Sequence, residues 1–403
     1  SLPDALYVIN PKQQSCNYPD PMLCGCGVIF KFIQAFITRY GEEFGISKGW
    51  EKWLLDMVGI STVSDMVPLQ NENRIFAYFG MKVIKKTRRL GLKKLLWDAG
   101  ISINHMDEED IAFGITPKIN AASRMSHPED AYQLFMAKDD MSATTHVKHL
   151  ISLNNDRKKL VAQTMKKAYQ KLDGQEINGV IVVGSPSWQA GILGLVASKL
   201  VEKYHVPAFV WSEENGEIKG SCRTYNGFHL VDIMNAAESG TFIQFGGHKE
   251  AGGFSCSKHE IHFLKERLEK ALEHYQNDLP KASEPEMRID AVITIDDVHM
   301  DNYQEIKKLA PFGVSNEKPL FLIKNVVPQK VAQFGKTKEH LEIHFTNSTG
   351  KTVRAITFYS SAENYSCPPQ VRVPMNLVAH LEHSVFMGKH ELRLKIVDCV
   401  EPN

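Results

Sequence analysis

The 403-residue chain carries 47 Lys plus Arg against 47 Asp plus Glu, so no global field draws it to a polyanion or an acidic membrane, and any nucleic-acid surface has to be local. Its 43% hydrophobic and 23% charged residues fit two or three cored domains and exclude disorder and fibrous repeats. Seven scattered cysteines, an odd number, suit reduced thiols in a cytoplasmic setting better than a disulfide framework.

Residues 5–9 read as a short apolar run, 28–40 as helix, 55–63 as a second apolar run and 74–88 as a helical pattern, an alternation that predicts α/β structure. The apolar stretch at 27–37 is broken by Lys31 and Gln34 and falls short of the ~20 residues that span a bilayer. The opening SLPDALYVINPK, with Ser1 first, reads as the inside of a folded unit without a targeting signal, so a fragment of a longer protein is expected. Over 139–172, Val147, Leu150, Ile151, Val161, Met165, Ala168 and Leu172 recur at helical steps between Lys and Arg. A helix of that length can act as a strut between domains.

A compact α/β unit comes next: a strand from Gly179, a helix over 192–204, a strand from Ala208, the segment EIKGSCRTY from Glu217, a helix over 230–238, a glycine-rich turn FGGHKEAGG and a charged helix over 259–275. The polar NDLPKASEPE at 277–286 predicts a linker. Beyond it, 319–327, 340–346, 353–359, 375–383 and 391–400 read as five strands, suited to a small OB-type barrel.

Asp65 follows an apolar run and precedes Pro68, the placing of a carboxylate at the end of a buried strand, where it can hold a divalent metal or simply cap a turn. A two-metal hydrolytic centre needs several ligands around ions ~3.5–4 Å apart, and this section offers no second convincing one. The acidic HMDEED from His105 and IDDVHMD from Ile295 lack the strand-end context and read as solvated. In TPKINAASRM, Lys118, Asn120 and Arg124 surround small residues that let phosphates approach; the plain alternative is a loop and helix start with Arg124 in a salt bridge.

The fullest signal lies in SWQAGILG, KGSCRTYNGFHL and FGGHKEAGG, all within one small α/β unit. Gly246 and Gly247 allow backbone geometry that exposes N–H groups to an anion, His248 supplies a directed donor and Arg223 the charge. Gly252 and Gly253 are read as permitting close helix-to-strand contact. The basic run from Lys82 to Arg89 reads as a solvated helix face, and Cys16, Cys24 and Cys26 lack the ligand spacing of a zinc knuckle. Phe334, Phe345, Phe358 and Tyr359 are core aromatics or base-stacking platforms.

These motifs, in this order, resemble the RecJ-type single-strand exonucleases of the DHH phosphoesterase superfamily, over almost the whole chain. NPKQQSCNYPDPMLCGCGVIFKF is similar to the stretch after the family's DHH signature, and GISTVSDMVPLQNENR to its later metal-binding aspartate motif. The three glycine-bearing segments resemble the DHH-associated domain, and LAPFGVSNEKPLF from Leu309 the entry to the family's OB domain. The resemblance implies an α/β fold in four parts: the carboxyl-terminal part of a DHH domain at 1–138, a connecting helix at 139–172, a DHH-associated domain at 173–278 and an OB-type β-barrel at 286–403.

It also implies metal-dependent hydrolysis of single-stranded DNA from the 5′ end in repair and recombination, with Asp65 a ligand of a two-metal Mn2+ or Mg2+ site. Asn120, Arg124, Gln189, Ser221, Arg223, Gly246, Gly247 and His248 would hold the DNA. Single-strand-binding protein and a helicase are the implied protein partners, and no membrane is. The family's earlier aspartates and the DHH triplet would precede Ser1, so this chain alone is expected to be inactive. Gln189 stands where the family commonly has His, and its amide can still donate to a phosphate. Two other readings stay open: a single-strand-binding module without catalysis, and a phosphodiesterase for short oligonucleotides or cyclic dinucleotides.

Overall fold

The structure, a computed structural model, describes residues 3–177, 179–225, 228–278, 287–335, 338–386 and 389–402. In its opening region the helices expected over 28–40 and 74–88 are present, and the apolar run at 55–63, placed by its pattern before a strand-end Asp65, is helical instead. Residues 5–9 form no strand, and Leu6, Tyr7 and Ile9 lie exposed. The α-helices here are α1 (Gly25–Tyr40), α2 (Leu55–Ser64), α3 (Asn71–Ile84) and α4 (Leu90–Asp98), with a 3-10 turn at Trp50–Leu54 leading into α2. A continuous apolar run cannot by itself separate a buried strand from a buried helix. At 55–63 the helix prevails because Gly59 allows backbone contact with α3 at Gly80, and the buried Thr62 hydroxyl donates to Val58 O at 2.7 Å within the turn.

The segment TPKINAASRM is α5 (Thr116–Met125), followed by α6 (Glu129–Met136) and the long α7 (Asp140–Leu172). Asp139 caps α7 by accepting from the Ser142 N–H at 2.8 Å, and Val147, Leu150, Val161, Met165, Ala168 and Leu172 form its buried stripe.

The middle unit contains β1 (Ile181–Gly184), α8 (Ala190–Tyr204), β2 (Ala208–Glu214), β3 (Glu217–Arg223), α9 (Leu230–Ala236), β4 (Gln244–Gly247), β5 (Ala251–Cys256) and α10 (Leu264–Asp278). Its sheet runs β1-β2-β3-β5-β4, with only β1 and β2 parallel. The glycine-rich turn is therefore a hairpin. Gly252 and Gly253 sit in strand β5 against Gly247 and Gly246; the helix-to-strand contact holds at Gly252, where a methyl would lie 3.2 Å from Leu230 Cδ2 of α9, while at Gly253 it would meet only Gly220 O of β3 at 3.5 Å. Of the expected linker, Asn277 and Asp278 end α10, and the rest lies outside the described residues.

The last section has β6 (Ala291–Ile293), α11 (Met300–Lys307), β7 (Phe321–Val326), β8 (Lys330–Phe334), β9 (His340–Thr346), β10 (Thr352–Thr357), β11 (Met375–Phe386) and β12 (Lys389–Val400). Their order is β6-β7-β11-β12-β10-β9-β8. The five expected strands are present, together with β6 and β8. Leu341, Ile343 and Phe345 alternate inward on β9 into a core with Leu377 and Leu394.

Two compact units organise the chain: Ser1–Arg88, Ala99–Thr116 and Met287–Asn403 form one, Arg89–Asp98 and Pro117–Glu286 the other. Among the described residues no helix is long and apolar enough to cross a membrane.

Candidate nucleic-acid interface

Asp65 ends a helix, not a strand. It is the C-cap of α2, its N–H donating to Ser61 O at 2.8 Å, and Met66 then turns away with φ 52°. The carboxylate is exposed and accepts from the Ser61 hydroxyl at 3.3 Å. An acid at the negative end of a helix is opposed by the dipole, which leaves it suited to a cation.

The second unit assembles the basic residues. Arg124 at the end of α5, Arg157 midway along α7 and Arg223 at the end of β3 are half-buried, and the structure couples them electrostatically through Arg124. Burial pulls all three below the ordinary guanidinium range, and the charge of Arg124 adds to this at Arg157 and Arg223. None of the three is ion-paired among the described residues. Arg124 donates to Gly191 O at 3.2 Å and Arg223 to Cys222 O at 2.7 Å, while Nε of Arg157 is buried without a hydrogen-bond partner. Three partly desolvated cations without carboxylates form a cradle suited to an anion. The salt bridge considered for Arg124 is absent among the described residues.

Glycine makes this approach possible. A methyl group at Gly191 would lie 2.1 Å from Arg124 O, and one at Gly194 would lie 2.8 Å from Nη2 of Arg223. Spaced three apart on α8, the two glycines present one bare face to both arginines. Sequence reading missed Arg157, Gly191 and Gly194 as individual residues. The glycine pair did carry a signal, because each glycine in a helix costs about 1 kcal/mol against Ala and two at helical spacing call for a packing reason.

The other sequence-singled residues of this unit fall around the sheet end. Ser221 pairs with Gly253, which pairs in turn with Gly246 on the edge strand β4. Arg223 pairs with Ala251, whose carbonyl accepts from the His248 N–H at 2.8 Å, so Arg223 and His248 flank β5 at one level. Gly247 adopts φ 156°, and a methyl there would meet Ala251 O at 2.3 Å, whereas Gly246 has open space around it. Gln189, exposed, is the N-cap of α8, and Asn120 is exposed on α5.

In the first unit the four aromatics divide. Phe345 is core at 1% exposed, while Tyr359 is 80% exposed and Phe358 44%. His340 packs edge-on against Phe334, Phe358 and Tyr359 at 4.9–5.2 Å, giving a ring cluster on the sheet surface. The basic run is dispersed: Lys82 sits over the Tyr78 ring at 4.1 Å and Arg88 over Trp53 at 3.9 Å.

Residues 176–279 match the DHHA1 domain and residues 289–398 the RecJ OB domain. These define a mixed α/β chain that joins a DHHA1 domain, entered from the long helix α7, to a carboxyl-terminal OB domain. In sequence and fold the chain is RecJ-like. It is 32% identical over 353 residues to the single-stranded-DNA-specific exonuclease RecJ of Bacillus subtilis, covering 87% of this chain and 43% of that relative. It resembles the crystal structure of RecJ with Mg2+ from Thermus thermophilus with TM-score 0.77 and 25% identity, over 96% of this chain and 57% of that one. The Mn2+ complex from the same organism gives TM-score 0.78 and 25% identity over 96% and 54%. The chain thus spans about half the length of these proteins.

Among the described residues no group of three or more His, Cys, Asp or Glu side chains gathers where it could hold a metal. Asp65, at the end of α2, presents an exposed carboxylate of the kind a divalent cation takes.

Proposed function

We propose that this chain is the substrate-gripping part of a single-stranded-DNA-specific 5′ to 3′ exonuclease of the RecJ type, acting in DNA repair and recombination. The observation that carries the reading is the trio Arg124, Arg157 and Arg223, partly buried, with Arg124 repelling each of the other two and without carboxylate partners among the described residues. Such a cluster is stabilised when phosphate oxygens enter, and a planar guanidinium suits them in pairs. Ser221, His248 and the Gly246 and Gly247 backbone extend the grip along the sheet edge, with Asn120 and Gln189 as amide donors. The exposed rings around His340 offer bases a stacking surface in the OB domain.

Asp65 is proposed as one ligand of a Mn2+ or Mg2+ centre. A divalent pair there would activate water and neutralise charge on the scissile phosphate. The residues of this chain bind and orient the strand. The test is release of 5′-label from single strands with Mn2+ by a protein that contains this chain and supplies the further metal ligands. Loss of label from single strands but not duplex is expected, and it should vanish in Arg223→Ala. Equal attack on duplex would overturn the reading.

The lack of a metal-ligand group among the described residues favours a second reading, a single-strand-binding module without catalysis. Binding without any metal-stimulated cleavage in that same assay would select it.

A further inference from the structure

A cleft of about 740 Å³ lies between α7 and α8 in the second unit, within the ~300–1,000 Å³ range of ligand-binding clefts. Its floor is apolar: Val161 and Met165 are nearly buried, with Leu195 and Tyr169 beside them. Its lining carries four cations, Arg157, Lys158, Lys199 and Lys203, against one carboxylate, Glu202, a local charge of +3 in a chain whose formal net charge is zero. Lys158, Lys199 and Lys203 are exposed and have no ion pair among the described residues.

Arg157 belongs both to this cleft and to the arginine cradle, since it feels the charge of Arg124. Lys158 likewise couples to Lys118 on α5, which lies on the cradle's own helix. The positive field is therefore continuous from Arg223 through Arg124 and Arg157 into the cleft. From Arg157 to Tyr169 the α7 wall runs twelve residues, about 18 Å at 1.5 Å per residue, room for a few consecutive phosphates of an extended single strand.

We propose that this cleft is a second stretch of single-strand track, taking the nucleotides that adjoin those held by Arg124 and Arg223. It rests on the nucleic-acid reading above. Recognition is through the backbone first, because Lys203 already covers the Tyr169 ring at 4.0 Å and a base could stack there only by displacing it. The lysines meet phosphates while sugar and base edges lie against Val161, Met165 and Leu195, a combination of apolar floor and basic rim that suits a single strand.

The experiment measures anisotropy of 5′-phosphorylated, 3′-labelled oligo-dT of about three and about twelve nucleotides on the full chain. The variants are Lys158→Ala/Lys199→Ala/Lys203→Ala, the reversal Lys199→Glu, and Arg124→Ala. The three lysines are exposed, so the folded state is expected to survive, with circular dichroism as the check. The triple variant should bind the short oligomer like the parent and the long one tenfold or more weakly. Its salt slope should fall by about 2, since each phosphate contact on a single strand contributes ~0.7. Lys199→Glu should weaken the long oligomer alone. An unchanged long-oligomer affinity and slope would overturn the track while leaving the cradle intact, provided Arg124→Ala weakens both lengths. If Arg124→Ala weakens neither, the cradle reading falls and takes the track with it. Equal competition by oligoglutamate of matched charge would also overturn it, marking a general polyanion or acidic-peptide surface.

Discussion

The guanidinium of Arg223 rests against the bare backbone of Gly194, where an added methyl would lie 2.8 Å from Nη2 and 3.4 Å from Cζ. The obstacle such a methyl meets is the free end of a flexible side chain, so Gly194→Ala should displace the arginine without unfolding the domain. Replacing Gly by Ala inside a helix itself favours folding by about 0.5–1 kcal/mol. Gly194→Ala is therefore expected to keep or raise the melting temperature while weakening single-strand binding about tenfold. Gly191→Ala should behave in the opposite way, because its methyl meets a backbone carbonyl, Arg124 O, at 2.1 Å. There a loss of about 1–3 kcal/mol in stability is expected from overpacking. Thermal denaturation and anisotropy on both variants separate the two, and a destabilised Gly194→Ala with normal binding would contradict this account.

Gly59 and Gly80 hold α2 and α3 in backbone contact. A methyl at Gly59 would lie 2.7 Å from Gly80 Cα, and one at Gly80 2.6 Å from Gly59 Cα. Either alanine substitution forces the helices apart, at about 1–3 kcal/mol. Once the helices have parted, the second methyl meets little further resistance. Urea denaturation of Gly59→Ala, Gly80→Ala and the double variant should give a double loss clearly smaller than the sum. Strict additivity would mean that the two sites strain the fold independently.

Tyr359 is 80% exposed and holds φ 55°, a conformation that strains residues other than glycine. Such strain persists where surrounding contacts impose it, and here the Tyr359 N–H donates to Nδ1 of His340 at 3.1 Å. Tyr359→Gly removes ring and strain together, so stability is expected to hold or rise. A stacked base contributes about 1–3 kcal/mol, so single-strand affinity should fall by roughly 5- to 150-fold. Unaltered affinity would exclude this ring from the interface.

What could be read from sequence follows the range of the interactions. Strand β9 was legible because His340 to Thr346 alternate strictly between surface and core, and α7 because its apolar stripe and the Asp139 cap are local patterns. The helix α2 was not, since Leu55 to Ser64 lacks periodicity and its decisive contact, Gly59 on Gly80, is tertiary. Strand β8 escaped because KVAQF lies at the sheet edge and has no fully buried residue. At the site, Arg223 and His248 stood out through their glycine neighbours. Arg157 did not: on a helix rich in lysine nothing local shows that its guanidinium is half-buried with Nε unpartnered.

Glu108 gives the fold an acid-favouring bias. It is 8% exposed, and burial, reinforced by the Asp107 charge, pushes its carboxyl up to about 7 despite donation from the Phe312 N–H and the nearby Lys318. An unfolded glutamate titrates near 4.5, so between roughly pH 4.5 and 7 the folded chain binds the extra proton. Its contribution to stability is fully present below 4.5 and is lost as pH rises through 7. A shift of this size corresponds to about 3 kcal/mol of pH-dependent stability. Glu108→Gln keeps the shape and removes the titration. Denaturant midpoints from pH 4.5 to 8 should therefore decline for the parent and run flatter for the variant, which should be the more stable of the two at pH 8. Parallel curves would show that Glu108 stays ionised in the fold.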